Sequence, residues 1–202
     1  MSEKEKIIEF LSSQQTGRIS SIDENGYPQI IPMNFVFIND VVYMHSHIKG
    51  EKLENIKRNQ KVGFEVDKSL EFLPSYFSDP TDASLADTLY ISVIIKGNAS
   101  IISDKEEKTI ALNGLMKKYQ PEGGYEPIKP DMDVLNEVEV IKIVPESLRG
   151  KYKIGQHMDR KSRIDLARQI LERNSPTAKE TLDIMGFEII DNEPKLVDDK
   201  LW

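Results

Sequence analysis

Cysteine is absent from the 202 residues. Its absence excludes disulfides, thiolate metal sites and cysteine nucleophiles. Histidine occurs 3 times, with no HExxH pair, so no metal site is expected. Basic residues are outnumbered, 27 Lys and Arg against 34 Asp and Glu, for a net charge of −7. Without a broad positive field there is little to displace counterions from phosphates, so no nucleic-acid partner is expected. No apolar run approaches a membrane span, and the opening MSEKEKIIEF is charged and lacks an apolar signal core. A cytoplasmic protein with no membrane partner is the expectation. GxGxxG, Walker A and GxSxG patterns are all missing. Acid pairs such as Asp131 with Asp133 lie in loop-like stretches and read as solvated charge.

What is present is an ordinary globular mix, 39% hydrophobic and 30% charged, long enough for one sizeable domain or one domain with an appendage. Residues 3–14 carry Ile7, Ile8 and Leu11 on one face of a short helix. GRISSI (17–22) and YPQIIPMNFVFI (27–38) flank Asn25-Gly26, a strong hairpin signal. Pro28 and Pro32 cannot donate ladder bonds, so the return strand is irregular, bulged or on an edge there. Asn39-Asp40 turns into a third strand. Residues 67–88 lack clean periodicity and read as a long loop, too apolar at Phe72, Leu73, Tyr76 and Phe77 to stay solvated, with a partner subunit as one candidate cover. Residues 89–103 form a strand with a bulge or bend at Gly97, and 104–119 a helix capped by Asp104. A Pro- and Gly-rich loop (120–136) leads to an alternating strand (137–144). A basic stretch, a helix (160–173), a second helix opened by Ser175-Pro176 or by a Thr177/Glu180 capping box, and a small hairpin follow. Tyr125 and Trp202 are candidate stacking side chains. Together these predict a mainly β protein, an antiparallel barrel with peripheral helices.

The stretch 41–66 holds the densest candidate site. Val41, Tyr43, His45 and His47 alternate with Val42, Met44 and Ser46, Gly50 breaks the strand, and Leu53 and Ile56 mark one face of a short helix. His47, Lys49 and Lys52 therefore crowd a strand end and a helix start. Free N–H groups and the helix dipole favour an anion there. Spacing alone leaves two readings open, a phosphate pocket and solvated turn residues.

The order of these segments resembles the pyridoxamine 5′-phosphate oxidase-like flavin-binding superfamily, and within it the nitroimidazole-resistance-protein branch. The likeness rests on Gly17-Arg18, on Gly26, Pro28, Pro32 and Asn34, on His45-Ser46, on Gly50 with Lys52-Leu53, and on Asn59 with Val62 to Asp67. Tyr90, Ser92-Val93, Gly97 and the helix end Leu115 to Tyr119 form a second block, so the likeness covers roughly residues 10–157. It implies an FMN-binding split β-barrel over residues 1–157, with 158–202 as a C-terminal helical and hairpin extension, and a homodimer holding FMN at the subunit interface. Pro32, Met33, Asn34 and Phe35 would lie against the isoalloxazine ring. His45 and Ser46 would line the ribityl-phosphate side. Lys52 would pair with the phosphate, with His47, Lys49 and Arg18 nearby. Ser92 would reach the flavin, and Lys151 and Gln156 would come from the second subunit. The R-x-H-D-R-type motif of the oxidases that make pyridoxal phosphate does not align with KYKIGQHMDRKSR, so pyridoxamine phosphate oxidation is not expected. The resemblance implies a flavin-dependent reductase of small, nitroaromatic-type molecules, with a nicotinamide as candidate electron donor. The alternative is a non-catalytic flavin- or haem-binding carrier or sensor, a reading that His45, His47 and His157 keep open.

Overall fold

A computed structural model of the chain describes residues 3–197; Trp202 and the end of the expected extension lie outside the described residues. Helix α1 (Glu3–Ser13) buries Ile7, Phe10 and Leu11. Strand β1 (Gly17–Ile22) turns at Asp23, whose Oδ1 accepts from the N–H groups of Asn25 and Tyr27, both at 2.8 Å. The expected return strand 27–38 is two strands, β2 (Pro28–Met33) and β3 (Val36–Ile38), parted at Asn34-Phe35. Asn39 and Asp40 both take positive φ, 51° and 63°, and make the tight turn into β4 (Val41–His47). Then come α2 (Glu51–Arg58), β5 (Lys61–Leu73), β6 (Asp87–Ile101), α3 (Lys105–Tyr119), β7 (Val138–Lys153), α4 (Arg160–Arg173), α5 (Ala178–Ile184) and a hairpin of β8 (Phe187–Ile190) and β9 (Glu193–Leu196). Asp104 caps α3 as expected, its carboxylate accepting from Glu106 and Glu107 N–H.

Seven strands form one sheet in the order β2-β1-β5-β6-β7-β4-β3. The β1–β2, β1–β5, β3–β4 and β4–β7 pairs are antiparallel. Two compact units emerge among the described residues: residues up to Val66 with Val93–Gly150, and Asp67–Ser92 with the residues from Lys151 on. In the first unit, alternation along β4 turns Val42 and Met44 into a core with Ile19, Phe64, Val66, Val93, Ile95, Ile141 and Ile143. On the other face of β4, Tyr43 packs with Val36, Val140, Ala111, Leu112 and Leu115 under α3. Gly17 explains the first motif glycine: a methyl group there would lie within 2.7 Å of a Phe64 ring carbon. Gly97 sits inside an unbroken β6, where a Cβ would lie 3.0 Å from the Val144 carbonyl carbon.

The second unit corrects the expected loop. Residues 67–73 belong to β5. They lack alternation because Leu70 and Glu71 are buried in succession, both at 2% exposure. The Glu71 carboxylate accepts from Arg173 at 2.7 Å and from the hydroxyls of Ser175 and Thr177. Those hydroxyls were the expected caps of the second helix. They serve the buried carboxylate instead; α5 starts at Ala178 with Thr177 at the N-cap position, the second of the two expected starts, but without a side-chain cap bond. A charge taken out of water needs these partners, and the local capping preference yields to that need. Likewise β7 runs on through Pro145, where the alternating pattern of 137–144 stops.

Candidate functional site

The junction of β4 and α2 is built around a glycine. Gly50 has φ 156° and ψ 149°, a conformation that side chains disfavour, and its carbonyl accepts the Leu53 N–H at 3.0 Å. Helix α2 is seated by its apolar face, Leu53 at 1% and Ile56 at 2% exposure, and by one polar residue. Asn55 is 1% exposed; its Nδ2 donates to Ser21 Oγ and Gln29 Oε1, both at 3.3 Å, and its Oδ1 accepts from Arg58. The middle of the helix is thereby tied to β1 and β2.

Lys52, in the first turn, folds back: its Nζ stands 3.9 Å from where a Cβ on Gly50 would be. Glu54 turns away to Lys57 at 2.9 Å. On β4, Ser46 is buried and donates to the His47 carbonyl at 3.0 Å, while His45 and His47 are exposed on the opposite face. The Lys49 N–H donates to His47 Nδ1 at 3.1 Å. That bond assigns the neutral ring's proton to Nε2. Lys49, Gly50 and Lys52 thus follow one another from the strand end at His47 into the first turn of α2, with the Lys52 ammonium beside the glycine.

The other expected residues fall elsewhere. Arg18 is on β1, ion-paired with Glu65 at 3.0 Å and in register with Pro32 on β2. Pro32 and Asn34 are exposed and Met33 is half-buried. Phe35 is fully buried, its ring edge-on to Phe64 at 5.1 Å. Ser92, Lys151 and Gln156 belong to the second unit. There Ser92 is half-buried in β6, and Lys151 Nζ lies 5.3 Å from the Tyr90 ring centre. Gln156 folds its amide onto its own turn, donating to the Tyr152 carbonyl and accepting from the Ile154 N–H.

Sequence reasoning did not single out Asn55, and it named Lys118 and Tyr119 only as members of the helix-end block, with no role in a site. Asn55 lies between Leu53 and Ile56, where a polar residue inside an apolar stripe was the available signal. Lys118 Nζ donates to the Leu11 carbonyl at 3.0 Å and sits 3.7 Å from the Phe35 ring centre. Burial brings its pKa down from 10.5 to about 8. The unfolded chain therefore binds more protons between those two values, and stability rises with pH across that window. Between pH 7 and 9.5 the urea midpoint of the wild type is expected to climb, and that of Lys118→Met to climb less. Tyr43, pushed up to about 12 by burial and by Glu107, acts in the opposite sense above pH 10, where the folded state keeps a proton that the unfolded state loses.

The sequence profile of the family described as pyridoxamine 5′-phosphate oxidase matches residues 3–152. No match to a curated protein reaches significance. Among solved structures, a candidate 5-nitroimidazole antibiotic resistance protein from Bacteroides thetaiotaomicron superposes with a TM-score of 0.62 at 23% identity, over 74% of this chain and 84% of that one. The conserved protein Rv2991 from Mycobacterium tuberculosis gives 0.58 at 22% identity, over 76% and 86%. The flavocytochrome Anf3 from Azotobacter vinelandii gives 0.64 at 20% identity, over 75% and 68%. At these identities the likeness establishes a shared fold.

Proposed function

The chain belongs to the pyridoxamine 5′-phosphate oxidase-like family, and on that premise we propose that it is a homodimeric FMN-dependent oxidoreductase whose β4–α2 junction holds the flavin phosphate. The observation that carries the reading is Lys52, whose ammonium lies beside Gly50 at a helix start. The residues fit a phosphate dianion. Lys52 and Lys49 supply charge, His47 Nε2–H a further donor, and the first turn of α2 its free N–H groups. Pro32, Met33 and Asn34 offer an edge strand with one N–H removed, on which a flat ring can lie. A split barrel is supported by connectivity: β2 and β3 end the strand order at opposite sides, yet only Asn34 and Phe35 join them. Three Cα steps span at most about 11 Å, so the two edges curl toward each other.

When bound, FMN supplies hydride or single-electron transfer. The chain's part is to retain it, orient its ring and admit a small electrophile. The nitroaromatic class is favoured by the branch-like order of motifs and by the resistance-protein neighbour. Purified protein is expected to show flavin absorption that dithionite bleaches, to release FMN on denaturation, and to oxidise a nicotinamide donor in the presence of a nitroaromatic acceptor. Colourless protein that fails to take up added FMN sinks the reading. Bound FMN without turnover would mark a carrier.

A further inference from the structure

Tyr119, the last residue of α3, turns its phenol onto the link between β2 and β3. Its Oη accepts the Phe35 N–H at 2.8 Å, and lies 2.6 Å from the Gln15 carbonyl oxygen and 3.0 Å from that of Phe35. A phenol has one proton, so it serves one of the two carbonyls at a time. Gln15 lies in the connector between α1 and β1, so a single hydroxyl ties two connectors to the end of a helix. Phe35 is 0% exposed, and its N–H has no water to turn to. Its ring is held as well, with the Lys118 ammonium on one side and the Phe64 ring at its edge. Neither connector carries a regular ladder at these residues, so the hydroxyl does what strand pairing does elsewhere in the sheet.

We infer that Tyr119 is a positioning residue for the flavin ring, acting through the backbone of Phe35 on the edge formed by Pro32, Met33 and Asn34. The inference rests on the flavin reading above. It assigns ring orientation to α3 and leaves phosphate retention to α2, two elements that hold opposite ends of one ligand.

The two ends can be separated by comparing FMN with riboflavin, which lacks the phosphate. Tyr119→Phe is expected to weaken both by the same factor, about tenfold, because it strands a buried N–H beside the ring edge. The visible circular dichroism of the bound flavin should change with it. Lys118→Met removes the bond to the Leu11 carbonyl but keeps those of the Tyr119 hydroxyl to Phe35 and Gln15, and is expected to hold riboflavin affinity within about threefold. Unchanged riboflavin affinity and unchanged visible bands in Tyr119→Phe overturn the inference. So does an equal loss in both variants, which would mean general softening. Should Tyr119→Phe not fold, amide exchange in the wild type decides. Flavin is expected to slow Phe35 exchange by more than it slows the amides of α3, and equal slowing overturns the inference. Wild-type protein that binds neither flavin overturns the parent reading instead.

Discussion

Lys52→Ala loses FMN affinity by about 10- to 150-fold and keeps its affinity for riboflavin. The range follows from a hydrogen bond to a charged group, about 1.5–3 kcal/mol, at 1.4 kcal/mol per tenfold. Lys52 is half-buried at the start of α2 and its ammonium points back toward Gly50. The ligand thus finds the charge already placed, and little side-chain entropy is lost on binding. Lys49, His47 and the helix N-terminus remain in the variant, which is why the loss is bounded. Wild-type affinity should also fall with added salt, and more steeply than in Lys52→Ala, because the variant has one fewer charge to screen. Fluorescence titration of both flavins at two ionic strengths checks all of this. An FMN affinity that does not change in Lys52→Ala would move the phosphate away from this junction.

The second large effect is on stability. Gly17→Ala places a methyl group against the tip of the Phe64 ring, within 2.7 Å of a ring carbon, and that ring is 1% exposed and packed edge to face with Phe35 at 5.1 Å. Overpacking of a closed core costs about 1–3 kcal/mol, and an overlap with a fully buried ring puts Gly17→Ala at the upper end. For a chain of this size about 3 kcal/mol corresponds to a drop in Tm of roughly 6–12 °C. Phe64→Leu removes ring atoms and opens the space the methyl group needs. The double variant should therefore be less destabilised than the sum of the singles, with a coupling of about 1 kcal/mol or more. Additive losses in a thermal or urea series would show that the two residues do not share this space.

These two predictions differ in how far the sequence alone could lead to them. Lys52 was legible from spacing: strand alternation to His47, a breaking glycine and an apolar pair at 53 and 56 place it in a helix's first turn, and α2 forms at Glu51–Arg58. Gly17 was legible only as a motif member, because what it makes room for lies on β5 and in the β2–β3 link. The same distance hid Asn55, whose partners are on β1 and β2, and Tyr119, whose partners are at 15 and 35. Local signals read well where local forces decide, as at the Asp104 cap and the Asn39-Asp40 turn. They misled where a buried charge overrode them. Glu71 reads as a loop residue in the aperiodic stretch 67–88, and its carboxylate took the Ser175 and Thr177 hydroxyls that were suited to cap the helix.

The strand order has a consequence for how the protein is made. β4 pairs with β7, Met44 opposite Ile141 and Val42 opposite Ile143. At about 5–20 residues per second, a ribosome adds the intervening ~100 residues in roughly 5–20 s. Through that interval the apolar face of β4 waits without its partner strand, in a chain whose first hairpins have already emerged. Conditions that slow elongation or crowd the emerging chain should thus lower the yield of folded protein more than its finished stability would imply.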